Sequence, residues 1–243
     1  MRRALASSAA LFLAVSCAGR ARAQVSTASA RAIIAVDAGH GGEDLGAVIS
    51  YVREKELTSR IALALAKAVD ERPGLRSLQL RPEDRYTPLV DRVAAAQAAG
   101  AAALVSIHLD DRRSPKPRSG CEDCGTSCAQ EDGGRGVSVY YYGRSRERYR
   151  RLILPEPPRK QIRASGDLAR SVYRALRERG LRTCTVDRGS YVILKGAKVP
   201  SILVEAGNMR DSRETARLKD PAFERRLAEA VALGVERYLS RTP

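Results

Sequence analysis

The chain of 243 residues contains two histidines, and each follows a short apolar run. His40 stands in Ile33-Ile-Ala-Val-Asp-Ala-Gly-His-Gly-Gly42, and His108 ends Ala103-Leu-Val-Ser-Ile-His108. Continuous apolar runs of this length, bounded by turn residues, read as buried strands. Glu205 closes a third run, Ile202-Leu-Val-Glu205. In open α/β sheets, ligands gather beyond the carboxyl ends of parallel strands, so these three side chains point toward one crevice. Two imidazoles and a carboxylate, with a fourth position open to water, form a standard donor set for a hydrolytic zinc. The carboxylate ligand must come from elsewhere if Glu205 is kept for proton transfer. Glu54 and Glu56, in Arg53-Glu-Lys-Glu-Leu57 at the head of a predicted helix, compete for that place. Taken singly, each residue also has a structural reading: a core histidine, a helix-dipole glutamate or a turn-capping carboxylate. The glycine-rich turn around His40 lacks both phosphate-cradling patterns, G-x-x-x-x-G-K-[ST] and G-x-G-x-x-G, so phosphate binding is discounted.

The elements that must position these residues alternate. Ile33–Asp37 reads as a strand, Glu54–Val69 carries Leu57, Ile61, Leu65 and Ala68 at helical spacing, and Ser77–Arg81 reads as a short strand. Pro88 opens a second helix that runs to about Ala99 before Gly100. Strands follow at Ala103–His108 and Gly136–Tyr142, then a helix from Ser165 ended by Gly180, a strand at Pro200–Glu205 and a last helix opened by Asp220-Pro221. This order predicts a single α/β domain over residues 31–241, a twisted, mostly parallel sheet with helices on both faces. Two stretches break the rhythm. Residues 109–135 are rich in Pro, Gly, Cys and charge, and residues 144–160 combine arginines with Pro155, Pro157 and Pro158. Both read as surface excursions of one domain, the arginine run as a solvated face.

The N-terminus reads as a leader. Arg2 and Arg3 precede an apolar stretch from Ala4 to Ala18, and Ala21-Arg-Ala23 then supplies a small-x-small cleavage site, so residues 1–23 are expected to be a secretory signal peptide. The competing reading, a lipoprotein anchored through Cys17, places Ala14 where leucine is usual and is the weaker one. Cleavage removes Arg2, Arg3, Arg20 and Arg22 and no acidic residue, which lowers the formal charge of +15 by four. A mature surface this basic seeks anions. Dispersed arginines, few aromatics and the lack of a recognisable binding motif argue against nucleic acid and leave an anionic wall polymer or lipid. No stretch of the mature region reaches the ~18 apolar residues of a membrane span. Cys121, Cys124, Cys128 and Cys184 remain after cleavage; in an oxidising compartment an even number favours disulfides, although C-x2-C-x3-C also permits a structural zinc.

A set of motifs in fixed order carries a resemblance. Asp37-Ala-Gly-His-Gly-Gly42, Glu54-Lys55 with Ile61-Ala62, Leu80-Arg81 with Asp84, Asp91-Arg-Val93, Ser106-Ile-His108 and Leu203-Val-Glu-Ala-Gly-Asn-Met209 together resemble the zinc-dependent N-acetylmuramoyl-L-alanine amidases of the amidase-3 type, a family of cell-wall hydrolases. The likeness is collinear from residue 33 to about residue 239. It implies a phosphorylase/hydrolase-like α/β fold, zinc held by His40, Glu54 and His108, and Glu205 as the catalytic carboxylate. It also selects Glu54 over Glu56. Ala38, Asp110 and Asp211 depart from the family's usual Pro, Asn and Asn; they bear on substrate preference and remove no ligand.

The implied reaction is hydrolysis of the amide between the lactyl group of N-acetylmuramic acid and L-Ala in peptidoglycan, by an enzyme exported to the periplasm or wall. Alternatives are a zinc peptidase cutting within the stem peptide and an inactive wall-binding module. Arg81 and Arg92 are candidates to hold the motif loops or to meet stem-peptide carboxylates, with ordinary surface ion pairing the plainer reading. A protein activator is conceivable, and the 109–135 insertion, which directly follows His108, is read as a surface loop ahead of a gate.

Overall fold

The computed structural model describes residues 31–111, 136–143 and 155–241. In chain order the elements are β1 (Ala32–Ala38), β2 (Val48–Ile49), β3 (Val52–Arg53), α1 (Glu54–Asp70), β4 (Leu75–Gln79), α2 (Leu89–Ala98), β5 (Ala103–Asp110) and β6 (Val137–Tyr142). They continue with α3 (Arg159–Glu178), β7 (Thr183–Gly189), α4 (Val192–Gly196), β8 (Ser201–Asn208), α5 (Ser212–Leu218) and α6 (Pro221–Leu239). Six strands form one sheet in the order β4-β1-β5-β8-β6-β7. The first four run parallel, β6 is antiparallel to β8, and β7 is parallel to β6. The sheet is therefore mostly parallel, as the βα alternation predicts.

Both faces of the central strands are buried, which is why they read as unbroken apolar runs. Ile34, Val36, Val105, Ile107, Ile202 and Val204 point into one core with Leu57, Ile61 and Leu65 of α1, Leu168, Val172 and Leu176 of α3, and Leu227, Val231 and Val235 of α6. The alternate residues Ala35, Leu104, Leu203 and Tyr140 meet Val93 and Ala96 of α2 and Ile193 and Leu194 of α4 in a second core. With period-two alternation, Asp37, Ser106, His108 and Glu205 extend the rows of that second set toward the sheet's carboxyl edge.

Several boundaries differ from expectation. His108 and Glu205 do not end their strands: β5 runs on to Asp110 and β8 to Asn208. The fourth strand lies at 75–79 rather than 77–81. The third helix begins at Arg159, six residues before Ser165, because its first turn is polar and hides the helical period. β7 is an edge strand of sequence TCTVDRG, half-exposed along most of its length, so it lacks the apolar alternation of a strand. The last helix starts as read, with Asp220 Oδ1 accepting from the Ala222 amide at 2.9 Å and Pro221 in the first turn. Cys184 lies half-buried in β7. The leader at residues 1–23, Cys17, Cys121, Cys124, Cys128, nearly all of the 109–135 insertion and most of the 144–160 excursion fall outside the described residues.

Candidate metal centre

His40 leaves β1 through a turn that few residues tolerate. Its φ is 63°, in the left-handed region, and Gly41, Gly42 and Gly46 also have positive φ. This conformation aims the imidazole back over the sheet edge toward the head of α1. A Cβ on Gly46 would lie 2.7 Å from Glu54 Oε2 and from His40 Cδ2, so a side chain there would occupy the site. At Gly39 a Cβ would meet the His108 ring at 2.5 Å, which lets that ring lie directly on the β1 backbone.

Glu54 is the first residue of α1 and only 4% exposed. Its Oε2 lies 3.1 Å from His40 Nε2 and accepts from the Ala47 amide at 2.9 Å. Its Oε1 lies 3.2 Å from His108 Nδ1 and accepts from the Leu109 amide at 3.0 Å. Burial alone would favour the neutral acid, yet hydrogen bonds and charge from His108 and His40 outweigh it and hold the carboxyl far below the usual carboxylate range. Glu56 points away, more than half exposed and paired with Arg53. The structure thus separates the two glutamates that local sequence left equivalent.

His40, Glu54 and His108 each offer one donor atom, all within 4.8 Å of one another, and they form the only such cluster among the described residues. A tetrahedral zinc at about 2.0–2.1 Å from N and O donors sets neighbouring donors about 3.3 Å apart. The two His–Glu separations, one to each oxygen of the carboxylate, lie close to that edge, and the three donors fall within 4.8 Å of one another, so these residues suit a zinc ion. Asp44 completes the shell: both its carboxylate oxygens lie 2.9 Å from His40 Nδ1. A proton on Nδ1 leaves Nε2 as the lone-pair donor facing Glu54, the usual carboxylate–histidine support of a metal ligand. Sequence reading missed Asp44, although a carboxylate four residues after a histidine in a Gly-rich turn was the available signal. Burial lowers the His40 pKa, but Glu54 and Asp44 together overcome it and the net shift is upward.

The turn is clamped from below by two buried arginines. Arg92 donates to the Asp37 carboxylate at 2.9 Å, to the Ala38 carbonyl at 2.6 Å, to the His40 carbonyl at 2.7 Å and to the Thr87 carbonyl at 2.9 Å. The Ser106 hydroxyl donates to the other Asp37 oxygen at 2.6 Å, which ties β5 to β1 beneath the histidines. Arg81 donates to the carbonyls of Ala38 and Gly39 and to the Ser59 hydroxyl. With exposures of 3% and 2%, Arg81 and Arg92 are interior braces and not surface ion pairs. Lys55 Nζ donates to the Gly42 carbonyl at 2.9 Å and to Asp84 at 2.7 Å, and Asp84 in turn accepts from the Gly42 amide.

Glu205 stands beside this cluster. Residue for residue, β8 pairs with β5 so that Glu205 faces His108, and β6 sets Ser138 on its other side. Its side chain is largely buried, with Oε2 sealed from solvent. Another buried carboxylate, Glu214, escaped the sequence reading: it accepts from the amides of Gly136 and Asn208 and pairs with Arg217 at 2.6 Å, fastening the carboxyl end of β8 to the start of β6.

A family model described as N-acetylmuramoyl-L-alanine amidase matches residues 34–237. The chain is 28% identical over 220 residues to N-acetylmuramoyl-L-alanine amidase AmiC of Escherichia coli O6:H1, covering 86% of this chain and 53% of that protein. With AmiC of Neisseria meningitidis serogroup B the identity is 30% over 222 residues, covering 86% and 53%. The chain therefore spans about half the length of these relatives. Among solved structures, the N-acetylmuramoyl-L-alanine amidase from Clostridium difficile 630 superposes with a TM-score of 0.69 at 23% identity, covering 88% of this chain and all of the other, which establishes the shared fold.

Proposed function

Because the chain belongs to the N-acetylmuramoyl-L-alanine amidase family, we propose that it hydrolyses the amide between the lactyl group of N-acetylmuramic acid and L-Ala in peptidoglycan. We further propose that His40, Glu54 and His108 hold a zinc ion and that Glu205 is the catalytic carboxylate. The observation that carries the reading is one juxtaposition: a three-donor cluster at the sheet's carboxyl edge, with a second carboxylate, the largely buried Glu205, in register beside His108.

When bound, zinc lowers the pKa of its water toward neutrality and polarises the scissile carbonyl. The protein's residues then divide the remaining work. Glu54 is unsuited to proton transfer, since two backbone amides and two imidazoles occupy its oxygens and keep it ionised. Glu205 takes up the proton of the attacking water and returns it to the departing L-Ala nitrogen, so that the C–N bond breaks to a carboxylic acid and a free amine. Asp44 and the Arg81–Arg92 brace keep the His40 ring in place throughout.

Export to the periplasm or wall, by way of the leader at residues 1–23, is part of the same proposal, since the substrate lies outside the cytoplasm. Among the described residues, no helix is long and apolar enough to cross a membrane. The test is Glu205→Gln in the zinc-loaded protein, digesting purified sacculi, with products read by mass spectrometry. Turnover should fall by about 10²–10⁴ with zinc content unchanged. Free stem peptides beginning at L-Ala and peptide-free glycan identify the amidase. Cleavage inside the stem peptide would replace this reading with the peptidase one, and full activity in the variant would remove Glu205 from the mechanism.

A further inference from the structure

Between the turn that carries His40 and the helix that begins with Glu54, the chain makes a small hairpin whose tip stands in solvent. β2 and β3 pair through Val48 with Arg53 and Ile49 with Val52, leaving Ser50 and Tyr51 as a two-residue turn. Its base is anchored at the metal centre. The Ala47 amide donates to Glu54, the Glu54 amide donates to the Ala47 carbonyl, and Ile49 and Val52 pack on the core. Its tip is strained, with Ser50 at φ 48° and Tyr51 at φ 65°. Two-residue hairpin turns that need both central residues at positive φ favour Asn-Gly or Gly-Gly. A tyrosine in the left-handed region carries a backbone cost that a residue suited to that region avoids, and such strain collects at sites of function.

The Tyr51 ring recovers none of that cost by packing, because the residue is 99% exposed. It stands three residues before the metal-binding Glu54, which an extended chain spans in about 10 Å. A second exposed tyrosine, Tyr86 at 61%, belongs to the segment whose backbone packs on Gly42, on the other arm of the His40 turn. A rigid aromatic face with a polar tip, held in water beside a hydrolytic centre, suits a ligand with one apolar face and a hydroxylated rim. A pyranose ring has that character.

We propose that Tyr51 is a substrate-binding residue that stacks on a sugar ring of the glycan strand, next to the muramic acid whose amide is cut. This inference rests on the amidase reading above. Tyr51→Ala, Tyr51→Phe and Tyr51→Gly would be assayed as full-length, zinc-loaded proteins on two substrates that carry the same stem peptide. One is a glycan strand several disaccharides long and the other a single muramyl peptide.

Tyr51→Ala should raise KM on the strand about five- to tenfold, with kcat little changed and a smaller effect on the muramyl peptide, the pattern of a lost uniform binding contact. Tyr51→Phe should keep most of the parental KM. Tyr51→Gly should bind the strand as weakly as Tyr51→Ala while melting no lower than the parent, since glycine relieves the turn. An active parent with unchanged KM in Tyr51→Ala, equal losses on both substrates, or a Tyr51→Gly protein that melts well below the parent would overturn the proposal alone. A zinc-loaded parent that releases no stem peptides would overturn the amidase reading and this one with it.

Discussion

At the residue scale, the centre works through a division of labour among four carboxylates and two imidazoles. Glu54 draws together His40 and His108, Asp44 sets the His40 tautomer, Asp37 receives the brace from below, and Glu205 stands in register with His108 outside the donor cluster. Asp44→Asn keeps the shape and removes the charge that makes Nε2 a strong donor, so zinc affinity should fall about 10–100-fold by competition with a chelator; equal affinity would leave Asp44 a mere turn residue. Protons compete for the same nitrogen. The metal-free His40 pKa is raised by Glu54 and Asp44 against the opposing effect of burial, so its ion pairs stabilise the metal-free fold fully below about pH 6.5 and are lost as pH rises through the folded value. Zinc has the opposite preference, because it needs the neutral ring. The gap in Tm between zinc-loaded and chelator-treated protein should therefore shrink as pH falls from 8 to 6. Glu54 stays ionised across this window, its pKa being held far lower. A gap that is flat or widens on acidification would show that His40 is not a ligand.

At the element scale, the site depends on how β1 ends. Arg92 reaches from α2 to gather the Asp37 carboxylate and the Ala38 carbonyl in the interior and the half-buried His40 carbonyl at its margin. Arg92→Met would leave Asp37 buried without the guanidinium that pairs with it, and breaking a buried pair from one side costs about 3–5 kcal/mol. The urea midpoint should drop accordingly, and Asp37→Asn added to Arg92→Met should recover part of the loss; additive losses would show that the two residues do not act as a pair. These elements also show what a sequence can disclose. β1, β5 and β8 were legible because both their faces are buried, and their apolar runs led directly to His40, His108 and Glu205. The hairpin at 48–53 has strands of two residues, too short for any period, and β7 is a polar edge. Glu54 was legible only as one of two helix-head glutamates until the motif order singled it out. Asp44 left only a faint trace, its place four residues after His40 in a glycine-rich turn, and Glu214 was not legible, since its role depends on the meeting of β6 with β8, which no local pattern records.

At the scale of the whole molecule, charge is the feature that local structure leaves unused. The formal charge is +15, and part of it lies on the solvent face of α3, where Arg159, Lys160, Arg163, Arg174 and Arg177 are all exposed. Burial of the opposite face explains why the helix forms, because Leu168, Val172 and Leu176 fill the core, but it does not require the outer face to be basic. Such a surface holds anions at long range without selecting among them, and salt screens it with a length of about 10 Å at 0.1 M and 3 Å at 1 M. Under the proposed function, an insoluble polyanionic substrate would be retained by the body of the protein while the metal centre acts on one amide at a time. The Glu205→Gln protein, which should bind sacculi without digesting them, isolates this effect. Its co-sedimentation should weaken severalfold between about 0.05 and 0.5 M salt, and replacing Arg159, Arg163 and Arg174 together by Gln should lower the low-salt binding toward the high-salt level. Retention that ignores salt would place the binding energy in the cleft and the hairpin tip instead, and the basic face of α3 would then serve solubility alone.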